Sequence, residues 1–402
     1  MLRRPLVPVA ALLWGLQAAF LSPALALILV SLYGASAADV GWVLAIYNAG
    51  GFVASLVIPA HADRKRRYLP ILLVCGCLTL GLAAALAVAT SLPLAAIALV
   101  VLGGPASVGN SLLFAYLMDG GATTADVVNT RAVFSFSWVA GPPIATALIG
   151  WFGSPSVLVA IAIVAVLNVA TTLVMLNRSR SQAPREVEER AAGPDNGRAL
   201  GFLTGRVLVV VVAFILAQAT NAAAVAIITL FVTQHLHLPV IWAGIAAGLA
   251  AGLEIPALML LGKLSSRYSE LTLLLTGCAA GVGYYAGMVF VSAPAVLLAL
   301  QVLNAWFFAA IAGIGLTLFQ KIIPRPGLAN GLYANTRRVG AILAGPVIAI
   351  AAGPLGYPGV YAACAGMTLL AAIFTWAAAR GQDPDLAARA GRSRPHPPRS
   401  VG

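Results

Sequence analysis

Apolar residues in this chain neither alternate nor form narrow helical stripes. They fill runs of about 20 residues, the length that spans a bilayer's hydrocarbon as a helix, each ended by charge or by Gly, Pro, Ser or Asn. Twelve runs can be marked, at approximately 5–30, 40–60, 68–90, 93–118, 129–152, 155–177, 207–232, 239–262, 270–292, 294–319, 330–352 and 356–379. A polar stretch, 178–206, separates the sixth from the seventh, and a Pro/Arg-rich tail follows from 380. The pattern predicts an all-α membrane protein with six helices in 1–177 and six in 207–379. The linker 178–206 and the tail 380–402 have the composition of disordered segments.

Composition narrows the class further. Only 9% of the 402 residues are charged and 61% are apolar, against about 25% charged in soluble domains. All four cysteines (Cys75, Cys77, Cys278, Cys364) sit in apolar runs, which argues against a disulfide framework or a zinc ribbon. The net charge of +12 does not point to nucleic acid, because the basic residues are scattered between hydrophobic runs. All 24 Lys and Arg fall on one set of alternating loops and ends; the stretches 33–39, 90–93, 153–155, 235–238, 292–294 and 353–357 carry none. By the positive-inside rule both termini are expected on the cytoplasmic side. The first run is too long for a signal peptide and lacks a small-residue cleavage pattern.

The two halves resemble each other. Asn129-Thr130-Arg131, followed by Gly141-Pro142-Pro143, matches Asn335-Thr336-Arg337, followed by Gly345-Pro346. Leu16-Gln17-Ala18 in the first run matches Ala217-Gln218-Ala219 in the seventh, and Asp63-Arg64 faces Ser266-Arg267. Three matches at nearly one offset indicate a six-plus-six duplication, the pseudo-symmetry by which transporters build a site between two halves.

Twelve spans, a long central loop and duplicated halves resemble the major facilitator superfamily. After the second run that superfamily carries G-x-x-x-D-R/K-x-G-R-R; here Pro59-Ala60-His61-Ala62-Asp63-Arg64-Lys65-Arg66-Arg67 keeps the acid and the basic cluster but neither glycine. The stretches 131–148, 235–244, 250–256, 300–320 and 332–345 (RAVFSFSWVAGPPIATAL, HLHLPVIWAG, AAGLEIP, LQVLNAWFFAAIAGIGLTLFQ and LYANTRRVGAILAG) are similar to the bacterial sugar efflux transporters within it. That resemblance implies a monomeric, multi-pass protein of the bacterial cytoplasmic membrane, without cofactors, that exports sugars or glycosides in exchange for protons. The direction of transport comes from the resemblance alone.

Candidate chemistry is sparse. Glu254 is the one carboxylate deep inside a run; a charge there costs about 2.5–3.5 kcal/mol or more, so it is expected to face the bundle interior. Burial disfavours the charged form of a carboxylate, which suits proton coupling; a hydrogen-bonded structural Glu is the alternative. Gln218 and Asn221, and Gln301 and Asn304, are i,i+3 pairs on shared helical faces, with Gln17 symmetry-related to Gln218. Amides both donate and accept, as sugar hydroxyls require, although interhelical bonding explains them equally well. Trp138 and Trp306 offer ring faces for a pyranose, and Asn48 and Asn110 are polar groups at mid-run. Asp119 and Arg131 flank the loop between the fourth and fifth runs and, with Asp63, Arg64 and Arg337, form a candidate gate at the inner rim. A solvated surface pair, worth about 0–1 kcal/mol, is the alternative there.

A multipass enzyme would need a nucleophile, metal ligands or paired carboxylates at one depth, and the runs provide none. The expected function is secondary active transport by alternating access, with a proton-coupled multidrug antiporter as the alternative. Paired amides in the cavity favour sugar; aromatic and aliphatic linings without them favour drugs.

Overall fold

The computed structural model describes residues 6–122, 124–180, 205–323 and 326–380; most of the expected linker and tail lie outside them. Among the described residues, twelve helices are long and apolar enough to cross a membrane. They are α1 (Leu6–Tyr33), α2 (Ala37–Lys65), α3 (Tyr68–Val88), α4 (Leu92–Asp119), α5 (Thr124–Phe152) and α6 (Pro155–Arg180) in the first half. The second half holds α7 (Gly205–His235), α8 (Ile241–Leu264), α9 (Glu270–Val289), α10 (Pro294–Ile322), α11 (Gly331–Gly353) and α12 (Leu355–Ala378).

Local chemistry explains where the helices begin, end and bend. A reciprocal capping box between Ser36 and Asp39 starts α2, and Arg66 in the left-handed conformation ends it, so the helix carries Asp63 and Arg64 on its last turn. At the start of α12 the chain reverses through Gly356, whose φ of 64° and ψ of −155° suit only a residue without Cβ. Helices α4 and α10, which occupy corresponding places in the two halves, each contain a π-helical turn, Leu99–Gly103 and Ala310–Ile314.

Each half is tied together by a buried polar cluster. In the first, Gln17 on α1 donates to Thr79 on α3 at 2.8 Å and accepts from Asn168 on α6 at 3.1 Å. In the second, Thr368 on α12 donates to Thr220 on α7 at 3.3 Å, and the Cys364 thiol reaches the Thr220 carbonyl at 3.8 Å. Such bonds supply the cohesion that a hydrophobic effect cannot supply among helices already in lipid.

The halves meet along α1 with α7, α2 with α11 and α5 with α8. Glycines make the second and third contacts possible. Gly41 and Gly345 lie so close that a Cβ on either would collide with the other's carbonyl oxygen. Opposite, a Cβ on Gly244 would come within 2.7 Å of the Pro142 carbonyl, and one on Gly248 within 2.7 Å of the Val139 carbonyl. Proline at 143 has no N–H to bond the carbonyl four residues earlier, so the Val139 oxygen is free to lie against the backbone of α8. The Gly-Pro-Pro element is thus part of the seam between the halves.

Candidate transport site

The seam between the halves has a definite depth. It runs from the rim that carries no Lys or Arg, where Gly41 meets Gly345 and Gly150 faces Val240, to mid-helix, where Asn48 donates to the Ala341 carbonyl at 3.2 Å and Gly252 lies near Val139. Beyond that level the helices part. One turn past Ala341, Arg337 is exposed; two residues past Gly252, Glu254 is partly exposed; two turns past Val139, Arg131 is exposed. The two halves form a wedge, closed at the rim without Lys or Arg and open toward the basic rim.

Glu254 sits where the wedge opens. The carboxylate is in the field of Arg337 on α11, and Tyr333, one turn from Arg337, is in the field of both. Glu254 and Arg337 do not form an ion pair, and α8 and α11 do not pack along each other, so their interaction acts across the space between the helices. Tyr333 is held rigidly. Its ring packs edge-on against Phe214 and Phe319 at 6.2 and 5.7 Å, and its hydroxyl donates to the Ile311 carbonyl of the α10 π-turn at 3.1 Å. Gln218 on α7 interacts with that same hydroxyl. Asn221, one turn further on the same face of α7, is half-buried and makes no side-chain hydrogen bond to a described residue. Tyr333 was not among the sequence candidates; its i,i+4 spacing to Arg337 was the available signal.

Other expected site residues lie elsewhere. Gln17 is engaged in the α1–α3–α6 cluster, and half-buried Asn48 donates across the seam to the Ala341 carbonyl. Gln301 is completely buried and donates to the Leu297 carbonyl at 3.0 Å, while Asn304 donates back to Gln301 at 3.0 Å. That pair bonds along its own helix. Trp306 points into a groove between α8, α9 and α10, where its indole N–H donates to Thr276 at 3.2 Å. Trp138 is half-buried on α5 next to Val139. In the first half, the Asn110 amide oxygen and the Trp14 indole nitrogen are buried without hydrogen-bond partners, and the Trp14 ring lies against Gly109.

The expected rim gate is not assembled in this state. Arg131 makes no ion pair with Asp119 or Asp63; its guanidinium lies over the Phe114 ring at 6.0 Å. Asp63 instead accepts a hydrogen bond from Tyr68 at 2.8 Å, and Arg64 and Asp119 are exposed. The physical reason is the open wedge, which leaves these groups in contact with solvent. An ion pair on this rim joins Lys321 to Glu270 within the second half.

Twelve spanning helices in two related bundles, closed over a polar site at one rim only, define a multi-pass membrane transporter rather than an enzyme. The family model of the Major Facilitator Superfamily matches residues 9–298. The chain is 32% identical over 336 residues to sugar efflux transporter A of Dickeya chrysanthemi, covering 81% of this chain and 83% of that one. It is 35% identical over 232 residues to sugar efflux transporter B of Salmonella typhimurium; this match spans 58% of the chain and a little over half, 57%, of that relative. The fold superposes on the nucleoside transporter NupG with a TM-score of 0.79 at 14% identity, covering 94% of this chain and all of that one. The chain therefore belongs to the major facilitator superfamily and, within it, to the sugar efflux transporters.

Proposed function

We propose that the protein exports sugars or glycosides in exchange for protons, with Glu254 as the proton carrier. The observation that carries this reading is the position of Glu254: a carboxylate at mid-membrane, partly exposed where the wedge opens, facing Arg337 and Tyr333 across space that a substrate can enter. Asn221 and Tyr333 on the second half, and Trp138 and Asn110 on the first, are the groups proposed to meet sugar hydroxyls and the pyranose face. The partnerless Asn110 oxygen supports this assignment, since a hydroxyl can satisfy it. The relatives' names supply the substrate class and the direction.

The positions of all 24 Lys and Arg support placing the basic rim and both termini in the cytoplasm of a bacterial cell. In that orientation the wedge is open to the inside, ready to load. Substrate binding and closure of the basic rim break the Gly41–Gly345 and Gly244–Pro142 seam, and a proton taken by Glu254 from outside returns the carrier. One proton crossing 100 mV releases about 2.3 kcal/mol, enough for a substantial outward gradient.

The test uses purified protein in liposomes under an imposed pH gradient, with labelled mono- and disaccharides beside cationic dyes, recording substrate and proton flux together. Sugar movement opposed to proton movement is the expected result. Dye movement without sugar movement would replace this reading with a multidrug antiporter, and sugar movement without proton flux would remove the coupling.

A further inference from the structure

Away from the wedge, the second half carries a lateral groove of about 650 Å³ between α8, α9 and α10. Leu253, Ala257 and Leu260 line one wall, Thr276 and Ala280 the other, and Trp306 forms the third. Small side chains on α8 and α9 make the space, and the Trp306–Thr276 hydrogen bond leaves a nearly wholly apolar lining. Helix α9 packs against α10 and the α11–α12 segment of its own half, and the groove opens sideways rather than into the transport path.

A second pocket, of about 390 Å³, lies on the same helix and is lined by Lys263, Leu264, Ser266 and Arg267. The spacing connects the two. Positions 253, 257, 260 and 263 or 264 recur every three or four residues and so form one stripe along α8, and Ser266 and Arg267 lie in the turn that follows it. From Leu253 to Lys263 the helix rises about 15 Å, half the ~30 Å hydrocarbon core and therefore the depth of one leaflet. Glu270, the acid nearest in sequence to this basic end, is neutralised by Lys321. The stripe thus offers an apolar slot one leaflet deep that ends in two exposed cations.

We propose that this stripe of α8 binds one anionic phospholipid, with an acyl chain in the groove beside Trp306 and the phosphate at Lys263 and Arg267. An unselective annular lipid would need only the groove; the basic pocket in register with it gives a preference for negative headgroups. Glu254 follows Leu253 on this helix, so the bound lipid braces the element that carries the proposed proton site. The lipid proposal itself does not depend on that function.

The test reconstitutes the full protein into vesicles containing equal mole fractions of brominated phosphatidylglycerol or brominated phosphatidylcholine, and reads tryptophan quenching. The Trp306 signal is the difference between the wild type and Trp306→Phe, and Trp151, exposed at the opposite rim, is isolated in the same way as an annular control. Trp306 is expected to report a preference for phosphatidylglycerol of about fivefold or more, the effect of a single basic residue, and Trp151 little preference. Lys263→Gln with Arg267→Gln is expected to abolish the preference while leaving quenching by phosphatidylcholine unchanged. Equal quenching of Trp306 by both lipids, a preference equally large at Trp151, or a preference that survives the double substitution would each overturn the assignment.

Discussion

The duplicated Asn-Thr-Arg element lies in two very different settings. Arg131, in the first half, lies over the ring of Phe114, with its charge turned to solvent at the rim. Arg337, in the second, lies one turn from Tyr333 on α11 and in the field of Glu254 on α8. The scaffold is two-fold but the chemistry is not. α5 has no counterpart of Tyr333, since the residue four before Arg131 is Val127, and α2 has no carboxylate at the depth of Glu254. Duplication supplied two copies of a cation at one helical position, and a single acid on α8 lies in the field of one of them only.

The strongest way to break this comparison is to remove the acid. Glu254→Gln is expected to abolish proton-driven transport, losing the roughly fiftyfold gradient that one proton crossing 100 mV can sustain, with expression and sugar binding retained. Liposome flux under a pH gradient measures it, and unchanged coupling would return Glu254 to a structural role. Next comes the pair of arginines. Arg337→Gln is expected to shift the pH midpoint of transport by about one unit, since a unit charge is removed from partly buried surroundings. Arg131→Gln is expected to leave the midpoint in place. Equal shifts in the two variants would show that the halves share the proton chemistry.

The seam allows a subtler comparison, because its two sides use the same device. Gly345→Val and Gly244→Val each force a side chain into a backbone contact, and overpacking of this kind costs about 1–3 kcal/mol. Both variants are expected to favour opening of the rim without Lys or Arg by about fivefold or more, read as faster labelling of a cysteine introduced there. An effect confined to one side would show that the seam opens by hinging about the other. The smallest effect concerns the buried clusters. Gln17→Leu removes two interhelical hydrogen bonds, each worth about 0.6 kcal/mol in a membrane bundle, and is expected to lower the melting temperature without changing transport per folded molecule. Loss of transport at unchanged stability would put Gln17 back in the substrate path.

These contrasts mark where sequence patterns stop being informative. Gln17 and Gln218 look equivalent at an offset of 201 residues, yet one bonds Thr79 and Asn168 and the other lies by Tyr333. An i,i+3 amide pair on α10 is as consistent with a sugar site as with the local hydrogen bonds it makes. An amide's partner depends on which helix lies opposite, and helical periodicity says nothing about that. Trp306, two residues from Asn304, is directed by helical rotation into the lateral groove instead.

The twelve spans, the two related halves, the one-sided distribution of positive charge and the single deep carboxylate, Glu254, were all determined by the chain itself. Each follows from a cost that one residue incurs regardless of its neighbours: apolar length against bilayer thickness, or charge against hydrocarbon. Tertiary structure decided which polar side chains meet, that Tyr333 joins Glu254 and Arg337, that Gly-Pro-Pro seals the halves, and that a groove and a basic pocket align along α8. Those outcomes depend on the packing of helices far apart in sequence, where a rotation of one residue, about 100°, sends a side chain to a different neighbour.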